Sequence, residues 1–259
     1  MNRSRAAVLI AGSFGSPFEE LKSEIQPLIW NFAPDVDVYY MRGHKPNRFS
    51  EMQNKTSEKL RYSNLWPIQR ITDNLLLSRK SRHIPSATIT NFDIRVDVNE
   101  GLRNLGLKSL SAYNFLLESG YEIFYKTTLS SLVHPKQFMA LIDTIPKPTP
   151  CYTGTIINFG NKPFISGANL TLNRKAVKIL LQKKNHWQHG LLDDVAIGRL
   201  LSSFLNDFEI KTLNIHSLAQ VENLTKKEIE SNMHFRCKSS NTTRDDVQIM
   251  KRLISKMDL

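Results

Sequence analysis

Two neighbouring aspartates, Asp193 and Asp194, are the side chains of this sequence best suited to acid–base chemistry. They lie in the segment Gly-Leu-Leu-Asp-Asp-Val-Ala-Ile-Gly of residues 190–198, where the apolar residues that follow predict a helix. A carboxylate at the beginning of a helix commonly accepts backbone N–H groups as a cap, and spacing alone favours that structural role. The same carboxylate can take a proton from a hydroxyl if packing places the two groups together. The segments around the pair decide between a cap and a base.

Three other segments accompany the acidic pair in a fixed order. Residues 164–174 read Phe-Ile-Ser-Gly-Ala-Asn-Leu-Thr-Leu-Asn-Arg, residues 104–110 read Asn-Leu-Gly-Leu-Lys-Ser-Leu, and residues 233–236 read Met-His-Phe-Arg. Together with residues 192–198 they resemble, in order and spacing, the fringe and β-1,3-galactosyltransferase-like family of GT-A glycosyltransferases. The resemblance covers roughly residues 97–237.

The resemblance implies an enzyme that moves a sugar from a nucleoside diphosphate donor to an acceptor hydroxyl with inversion. In the family, the Ser-Gly-Ala segment forms the floor beneath the donor sugar, and the acidic segment supplies the catalytic base. By that correspondence Asp194 is preferred over Asp193 as the base. The segments that correspond place the following residues at the donor: Lys108, Lys126, Thr128, Ser130, Ser166, Gly167, Ala168 and Arg236.

The sequence departs from the family at the metal site. The family has an Asp-x-Asp-like triplet that holds a divalent cation on the diphosphate, whereas residues 124–131 here read Phe-Tyr-Lys-Thr-Thr-Leu-Ser-Ser. Hydroxyls are poor ligands for a hard cation. Either Mn²⁺ or Mg²⁺ is held through His234 and another group, or Lys108, Lys126 and Arg236 neutralise the diphosphate directly, which is the favoured alternative. An inactive enzyme is the third alternative.

The acceptor stays open. Trp187 and His189 lie in the loop before the acidic pair and could stack on an acceptor sugar or base, although anchoring the loop is an equal alternative. A cell-surface glycan precursor is the favoured acceptor, and a hydroxymethylated base in phage DNA is the other.

The charge of the chain bears on its partners. It is +11, from 35 Lys and Arg against 24 Asp and Glu. Such a protein attracts polyanions, so it suits an enzyme that lies against an anionic membrane surface and equally one that acts on DNA. A non-enzymatic nucleic-acid-binding protein is a rival from another class, but the sequence carries no helix-turn-helix, zinc-finger or RNA-recognition signature.

Composition also indicates the compartment. The 259 residues contain two cysteines, Cys151 and Cys237, and no apolar run approaches the roughly 18 residues that span a bilayer. Few cysteines are typical of a reducing compartment, with one disulfide as an alternative. Basic residues 1–5 and apolar residues 6–11 superficially resemble a signal peptide, but residues 12–20 turn polar. We therefore expect a first strand there, no transmembrane segment and a cytoplasmic protein.

The first elements favour an α/β fold. Residues 8–10 are apolar and residues 36–41 mostly so, and both segments predict strands. Between them, Ser16, Pro17 and Glu19 predict a helix that begins with a capping box. Strand, helix and strand in this order are the opening of an open α/β sheet.

The turn after the first strand reads Ala-Gly-Ser-Phe-Gly at residues 11–15. Ligands of open α/β sheets gather at the carboxyl ends of the strands. Gly12 and Ser13 are therefore expected at the donor.

The resemblance implies a GT-A fold, and with it we expect one domain over residues 1–259, an α/β fold with a Rossmann-like mixed sheet flanked by helices. Residues 43–96 are expected to be a polar, basic insertion, and residues 205–259 a C-terminal strand and helix. The predicted elements are a helix at 65–78 before the basic run 79–83, a helix at 107–117, strands at 122–126, 152–159 and 164–166, and helices from 135, at 174–184, at 193–204 and from Thr243.

Overall fold

The structure is a computed structural model of the chain. It describes residues 6–33, 35–45, 48, 51–52, 55–56, 66–81, 83–159, 162–206, 209–239 and 244–257.

A seven-stranded mixed sheet forms the centre of the molecule, in the order β3-β4-β2-β1-β5-β8-β7. Strands β4, β2, β1 and β5 are parallel, and the other three run antiparallel to their neighbours. The strands are β1 (Ala6–Ala11), β2 (Val36–His44), β3 (Ala87–Thr90), β4 (Asp93–Asn99), β5 (Ile123–Thr128), β7 (Tyr152–Phe159) and β8 (Lys162–Asn173).

Strand β1 lies in the middle of the sheet because its sequence can be buried on both faces. Its residues Ala-Ala-Val-Leu-Ile-Ala are apolar without alternation, as expected of a central parallel strand. Ala6, Val8 and Ile10 pack into one core layer, and Ala7 and Leu9 pack into the layer on the opposite face. The α/β prediction is confirmed, with helices on both faces of a Rossmann-like sheet.

The helices divide between these two layers. They are α1 (Phe18–Glu20), α2 (Gln26–Trp30), α3 (Trp66–Ser81), α4 (Leu105–Glu118), α5 (Pro135–Thr144), α6 (Arg174–Gln182), α7 (Asp193–Leu201), α8 (Leu218–Asn223), α9 (Lys226–Ser231) and α10 (Asp246–Lys256). Helices α2, α5 and α10 contribute to the first layer, whereas α4, α6 and α7 contribute to the second. Within the described ranges, none of the helices has the length and apolar character needed to cross a membrane.

A second, three-stranded sheet lies beside the first. It has the order β6-β10-β9, made of β6 (Ser131–Val133), β9 (Thr212–Ile215) and β10 (His234–Cys237). Strand β10 is antiparallel to β6 and parallel to β9. From residue 205 onward, the described residues therefore contribute two strands and three helices, more than the predicted strand and helix. The threonine at 243, predicted to cap the last helix, lies outside the described residues.

The predicted capping box at the first helix is wrong. Pro17 precedes the helix and no side chain caps it. The Glu19 carboxylate instead accepts hydrogen bonds from the Arg42 guanidinium at 3.1 and 3.3 Å. Arg42 is buried on β2, and a buried charge without a partner is costly. The N–H groups of a solvated helix end can bond water instead, so the carboxylate pairs with Arg42. A π-helical segment, Leu21–Ile25, then joins α1 to α2.

Part of the predicted insertion belongs to the main sheet. Strands β3 and β4 form a hairpin, and β4 pairs with β2 in parallel. Ile94 and Val96 are buried, whereas residues 93, 95 and 97 between and beside them are exposed or half-buried. This period of two is that of a strand with one face covered. The polar residues between them obscured this alternation. The predicted helix at 65–78 is present as α3.

Gly154 of β7 provides a test of the packing between β7 and β8. Its φ is +149°, and a Cβ there would lie 1.9 Å from the Asn169 carbonyl oxygen. Gly154→Ala is expected to lower the free energy of unfolding by about 2–3 kcal/mol, measured by urea denaturation. Gly15→Ala is the control, because Gly15 has φ +86° but open space around it, and should cost only about 1 kcal/mol. Equal losses would contradict the close approach.

Candidate functional site

A cavity of about 620 Å³ opens at the carboxyl ends of β1 and β5. Ala11 of β1 lies opposite Thr128 of β5 in parallel register, so the turns after both strands leave the sheet at one edge. Both turns line the cavity together with the loop that leads into α4. The predicted donor residues that line it are Gly12, Ser13, Lys108, Thr128, Ser130 and Arg236.

Two cations at this cavity have carboxylate partners. Lys108 is buried in an ion pair with Glu100, whose carboxylate also accepts the Gly43 N–H at 2.7 Å. The Arg103 guanidinium lies 2.8 Å from the Asp73 carboxylate. The charge of Lys108 is thus largely balanced inside the protein, which weakens its predicted role as a diphosphate cation.

Two further cations, Arg236 and Arg244, lie against hydroxyls at the end of β5. The Arg236 guanidinium donates to Thr128 Oγ1 at 2.5 Å and to Ser131 Oγ at 3.4 Å. Arg244 donates to Ser130 Oγ at 2.9 Å and forms an ion pair with Asp246. Lys238 also lines this side of the cavity.

Arg244 was not among the predicted site residues. In the sequence it lies beside residues interpreted as a helix cap, and its contact with Ser130 is formed only in the folded chain. Glu100 and Asp73 were overlooked for the same reason, since each pairs with a cation on another element.

The acidic pair lies at the beginning of α7, next to β5 and β8. Asp193 is 2% exposed, and its Oδ2 accepts hydrogen bonds at 2.5 Å from Lys126 Nζ and from Ser109 Oγ. Lys126 is equally buried. Two oppositely charged groups removed from water in this way are stable only as a pair. The predicted contact of Lys126 with the donor diphosphate therefore has no support, because Asp193 already neutralises it.

Asp194 is half-buried and differently placed. Its Oδ2 accepts the Gly167 N–H at 2.9 Å, and its Oδ1 accepts the Val195 N–H at 2.8 Å. Burial raises the pKa of the Asp194 carboxyl, and the neighbouring Asp193 raises it further, although Lys126 and the two N–H groups act in the opposite direction. A carboxylate with a raised pKa is a better proton acceptor than an ordinary one.

The Ser-Gly-Ala segment lies within β8 and meets the acidic pair at Gly167. A Cβ on Gly167 would lie 3.1 Å from Asp194 Oδ2 and 3.2 Å from Lys126 Nζ, so a side chain there would press on both. Ser166 and Ala168 flank this glycine, and the Ala168 carbonyl accepts the Thr127 hydroxyl at 2.8 Å. The two segments that the sequence assigned to one site are therefore in contact.

The acidic cluster and the cavity share two elements. On α4, Lys108 lines the cavity and the adjacent Ser109 donates to Asp193. On β5, Thr128 lines the cavity and Lys126, two residues earlier, pairs with Asp193. The helix and strand that line the cavity therefore also hold Asp193, whereas Asp194 is held by Gly167 of β8 and by Val195. The aspartates, Lys126 and residues 166–168 are not among the residues that line the cavity.

Trp187 and His189 do not offer the aromatic surface that was predicted for an acceptor. They are 2% and 4% exposed. Trp187 packs against Gly106, where its Nε1 would lie 2.5 Å from a Cβ. The loop-anchoring alternative therefore describes both residues.

His234 is buried in β10, and this position does not fit a metal ligand. Its Nδ1 lies 2.8 Å from Thr212 Oγ1, and the residue does not line the cavity. Burial, with Arg236 beside it, lowers the pKa of His234 to about 3. In the part of the chain that the structure describes, no three His, Cys, Asp or Glu side chains gather where they could hold a metal ion.

The buried histidines predict a loss of stability in acid. Burial lowers the pKa of His189 to about 4. Both His189 and His234 are therefore neutral in the folded protein at pH 5, whereas the unfolded chain binds protons below its ordinary pKa of 6.5. Stability is fully present above pH 6.5 and is lost as the pH falls toward the folded values.

We expect each of these histidines to remove about 2 kcal/mol of unfolding free energy between pH 7 and pH 5. Urea denaturation of the wild type and of His189→Gln measures the difference. The variant should lose about 2 kcal/mol less than the wild type over this range. His83→Gln, at an exposed histidine, should lose as much as the wild type. An unchanged loss in His189→Gln would contradict a neutral, buried His189.

No family model matches the sequence, and no curated protein matches it. Among solved structures, the chain is similar to apo UDP-glucose pyrophosphorylase at 11% sequence identity, over 98% of this chain and 97% of that chain. The TM-score is 0.30, a likeness too small to bear on activity.

Proposed function

We propose that this protein is a glycosyltransferase that moves a sugar from a nucleoside diphosphate donor to an acceptor hydroxyl. The observation that carries the proposal is Asp194, a half-buried carboxylate with a raised pKa that is held against Gly167. Its neighbour Asp193 bonds Ser109 of α4 and Lys126 of β5, two elements that line the cavity at the strand ends. The resemblance of these same segments to the fringe and β-1,3-galactosyltransferase-like family supports the assignment.

The reaction is a single displacement. The acceptor oxygen attacks the anomeric carbon of the donor sugar, and its proton passes to Asp194 as the new bond forms. The bond between the anomeric carbon and the diphosphate oxygen breaks, and the nucleoside diphosphate leaves with the electron pair. Attack on the face opposite the leaving group inverts the anomeric centre.

The two aspartates have separate roles in this mechanism. Asp193 is neutralised by Lys126 and held by Ser109, so it is already occupied as an acceptor. Burial and the charge of Asp193 raise the pKa of Asp194, which makes Asp194 a stronger base than an exposed aspartate. Asp194 is therefore the catalytic residue and Asp193 a positioning residue.

A thermal-shift screen of nucleotide sugars, with and without Mn²⁺, tests the proposal. A ligand that binds only the folded protein raises its apparent melting temperature. We expect at least one UDP-, GDP-, dTDP- or ADP-linked sugar to raise it, and that donor to be consumed when an acceptor is present. A complete panel without a shift would instead favour the rival nucleic-acid-binding protein.

The acceptor is tested separately by binding to duplex DNA at two salt concentrations. Affinity that falls steeply with salt supports a modified DNA base as the acceptor, because phosphate contacts release counterions. Absence of DNA binding supports a glycan precursor.

A further inference from the structure

The end of β5 carries hydroxyls and guanidinium groups where the resembling family has carboxylates. Thr128 and Ser131 accept hydrogen bonds from Arg236, and Ser130 accepts one from Arg244. The hydroxyl oxygens are thus occupied by positively charged donors. Thr128, Ser130 and both arginines line the cavity.

A divalent cation does not fit these residues. Hard cations bind carboxylates and carbonyls, and two guanidinium groups at the same place repel a positive ion. Asp246, the carboxylate close to Arg244, is itself paired with that arginine and also accepts the Ser239 N–H at 3.1 Å. The residues present therefore contradict a metal site at this strand end.

The balance of charge around Arg236 favours an anion. Lys108, Arg103 and Arg244 each pair with a carboxylate, whereas the hydrogen bonds of Arg236 within the described part of the chain go to hydroxyls. Asp246 acts on Arg236 from nearby, but its carboxylate is already paired with Arg244. Two half-buried guanidinium groups that share one carboxylate are costly unless an anion joins them. Arginine binds phosphate oxygens with its planar fork.

We propose that Arg236 and Arg244 hold the donor diphosphate directly, in place of a metal ion, with Ser130 and Thr128 fixing the two guanidinium groups. The identity of the ligand as a sugar donor rests on the proposed function. When the anomeric bond breaks, the diphosphate departs with the electron pair, and the two guanidinium groups stabilise the added negative charge. No proton is needed on the leaving group.

The test measures binding of inorganic pyrophosphate by isothermal titration calorimetry in the presence of EDTA. We expect the wild type to bind, and Arg236→Met and Arg244→Met each to weaken binding by about tenfold or more, equal to about 1.4 kcal/mol. Arg252→Met is the matched control, because it removes the same charge from an exposed pair with Glu222. It should bind as the wild type does.

Two outcomes overturn the inference: pyrophosphate that binds only when Mg²⁺ replaces EDTA, or Arg236→Met that binds as tightly as the wild type. If Arg236→Met does not fold, by circular dichroism, Arg236→Lys replaces it. That variant keeps the charge but loses the fork, so weaker binding supports the inference and unchanged binding contradicts it.

The inference and the proposed function fail in different ways. If pyrophosphate binds in EDTA but the protein transfers no sugar, the anion site at the two arginines is supported and the proposed function is contradicted. If the protein transfers sugar only with Mn²⁺, the proposed function is supported and the metal-free anion site is contradicted.

Discussion

Asp194→Asn is expected to slow sugar transfer by about 10²–10⁴-fold while leaving donor binding nearly unchanged. The amide cannot take the proton from the hydroxyl that attacks the sugar. Its oxygen can still accept a hydrogen bond from the Gly167 or the Val195 N–H. The loss should therefore fall on kcat and not on the affinity for the donor. Initial rates with the donor from the thermal-shift screen, together with the donor Kd, measure both.

Asp97→Asn is the control for this substitution. Its side chain is 73% exposed on β4 and pairs with His44, outside the acidic cluster. It should transfer sugar at the wild-type rate. A fully active Asp194→Asn enzyme would remove Asp194 as the base and with it the proposed mechanism.

The pH dependence of transfer gives a second measure of the same carboxylate. Because burial raises the pKa of Asp194 above its ordinary value of 3.8, the rate should begin to fall at a higher pH than an exposed aspartate would give. The rate is full above this pKa, where the base is ionised, and is lost as the pH falls through it.

Lys126→Met is expected to have the largest effect on folding. It leaves Asp193 buried without a counter-charge, and breaking a buried ion pair in this way costs about 3–5 kcal/mol. Urea denaturation at pH 7 measures the loss of unfolding free energy.

The double variant Lys126→Met/Asp193→Asn separates charge from packing. Asparagine removes the uncompensated charge and keeps an acceptor for Ser109, so the double variant should recover much of the lost stability. A double variant no more stable than Lys126→Met would show that packing of the lysine stem, and not its charge, dominates.

The strands and helices could be predicted where one local pattern decides them. The apolar run of β1, the helix α4 and the beginning of α7 at Asp193 all follow from neighbouring residues. Strand β8 shows the limit. Residues 164–166 were predicted as a strand, but it continues to Asn173 because it pairs with both β5 and β7.

The site could be predicted only as far as its segments. The resemblance implies that residues 166–168 belong with the acidic pair, and the Gly167 N–H does bond Asp194. The ion-pair partner of each cation does not follow from the sequence. Lys126 pairs with Asp193, 67 residues later, and Lys108 pairs with Glu100 on the preceding loop. Charges find partners through the tertiary fold, which spacing does not encode.

The burial of the loop before α7 could not be predicted from the sequence either. The His189 N–H bonds the Asn74 side chain at 3.0 Å, and a Cβ on Gly190 would lie 2.3 Å from the Arg70 carbonyl oxygen. Both partners lie on α3, in the segment interpreted as an insertion. A helix of the predicted insertion therefore packs against the loop that holds the aromatic residues expected to face an acceptor.

The small sheet completes the cavity late in folding. Strand β6 follows β5 directly, but its partner β10 lies about a hundred residues further along the chain, and Arg244 comes later still. Contacts so distant in sequence form late, because the loop between them must close first. A folding chain can therefore build the acidic cluster before Arg236 and Arg244 reach the cavity. Under the proposed function, an intermediate at that stage has its base but lacks the groups that would hold the diphosphate.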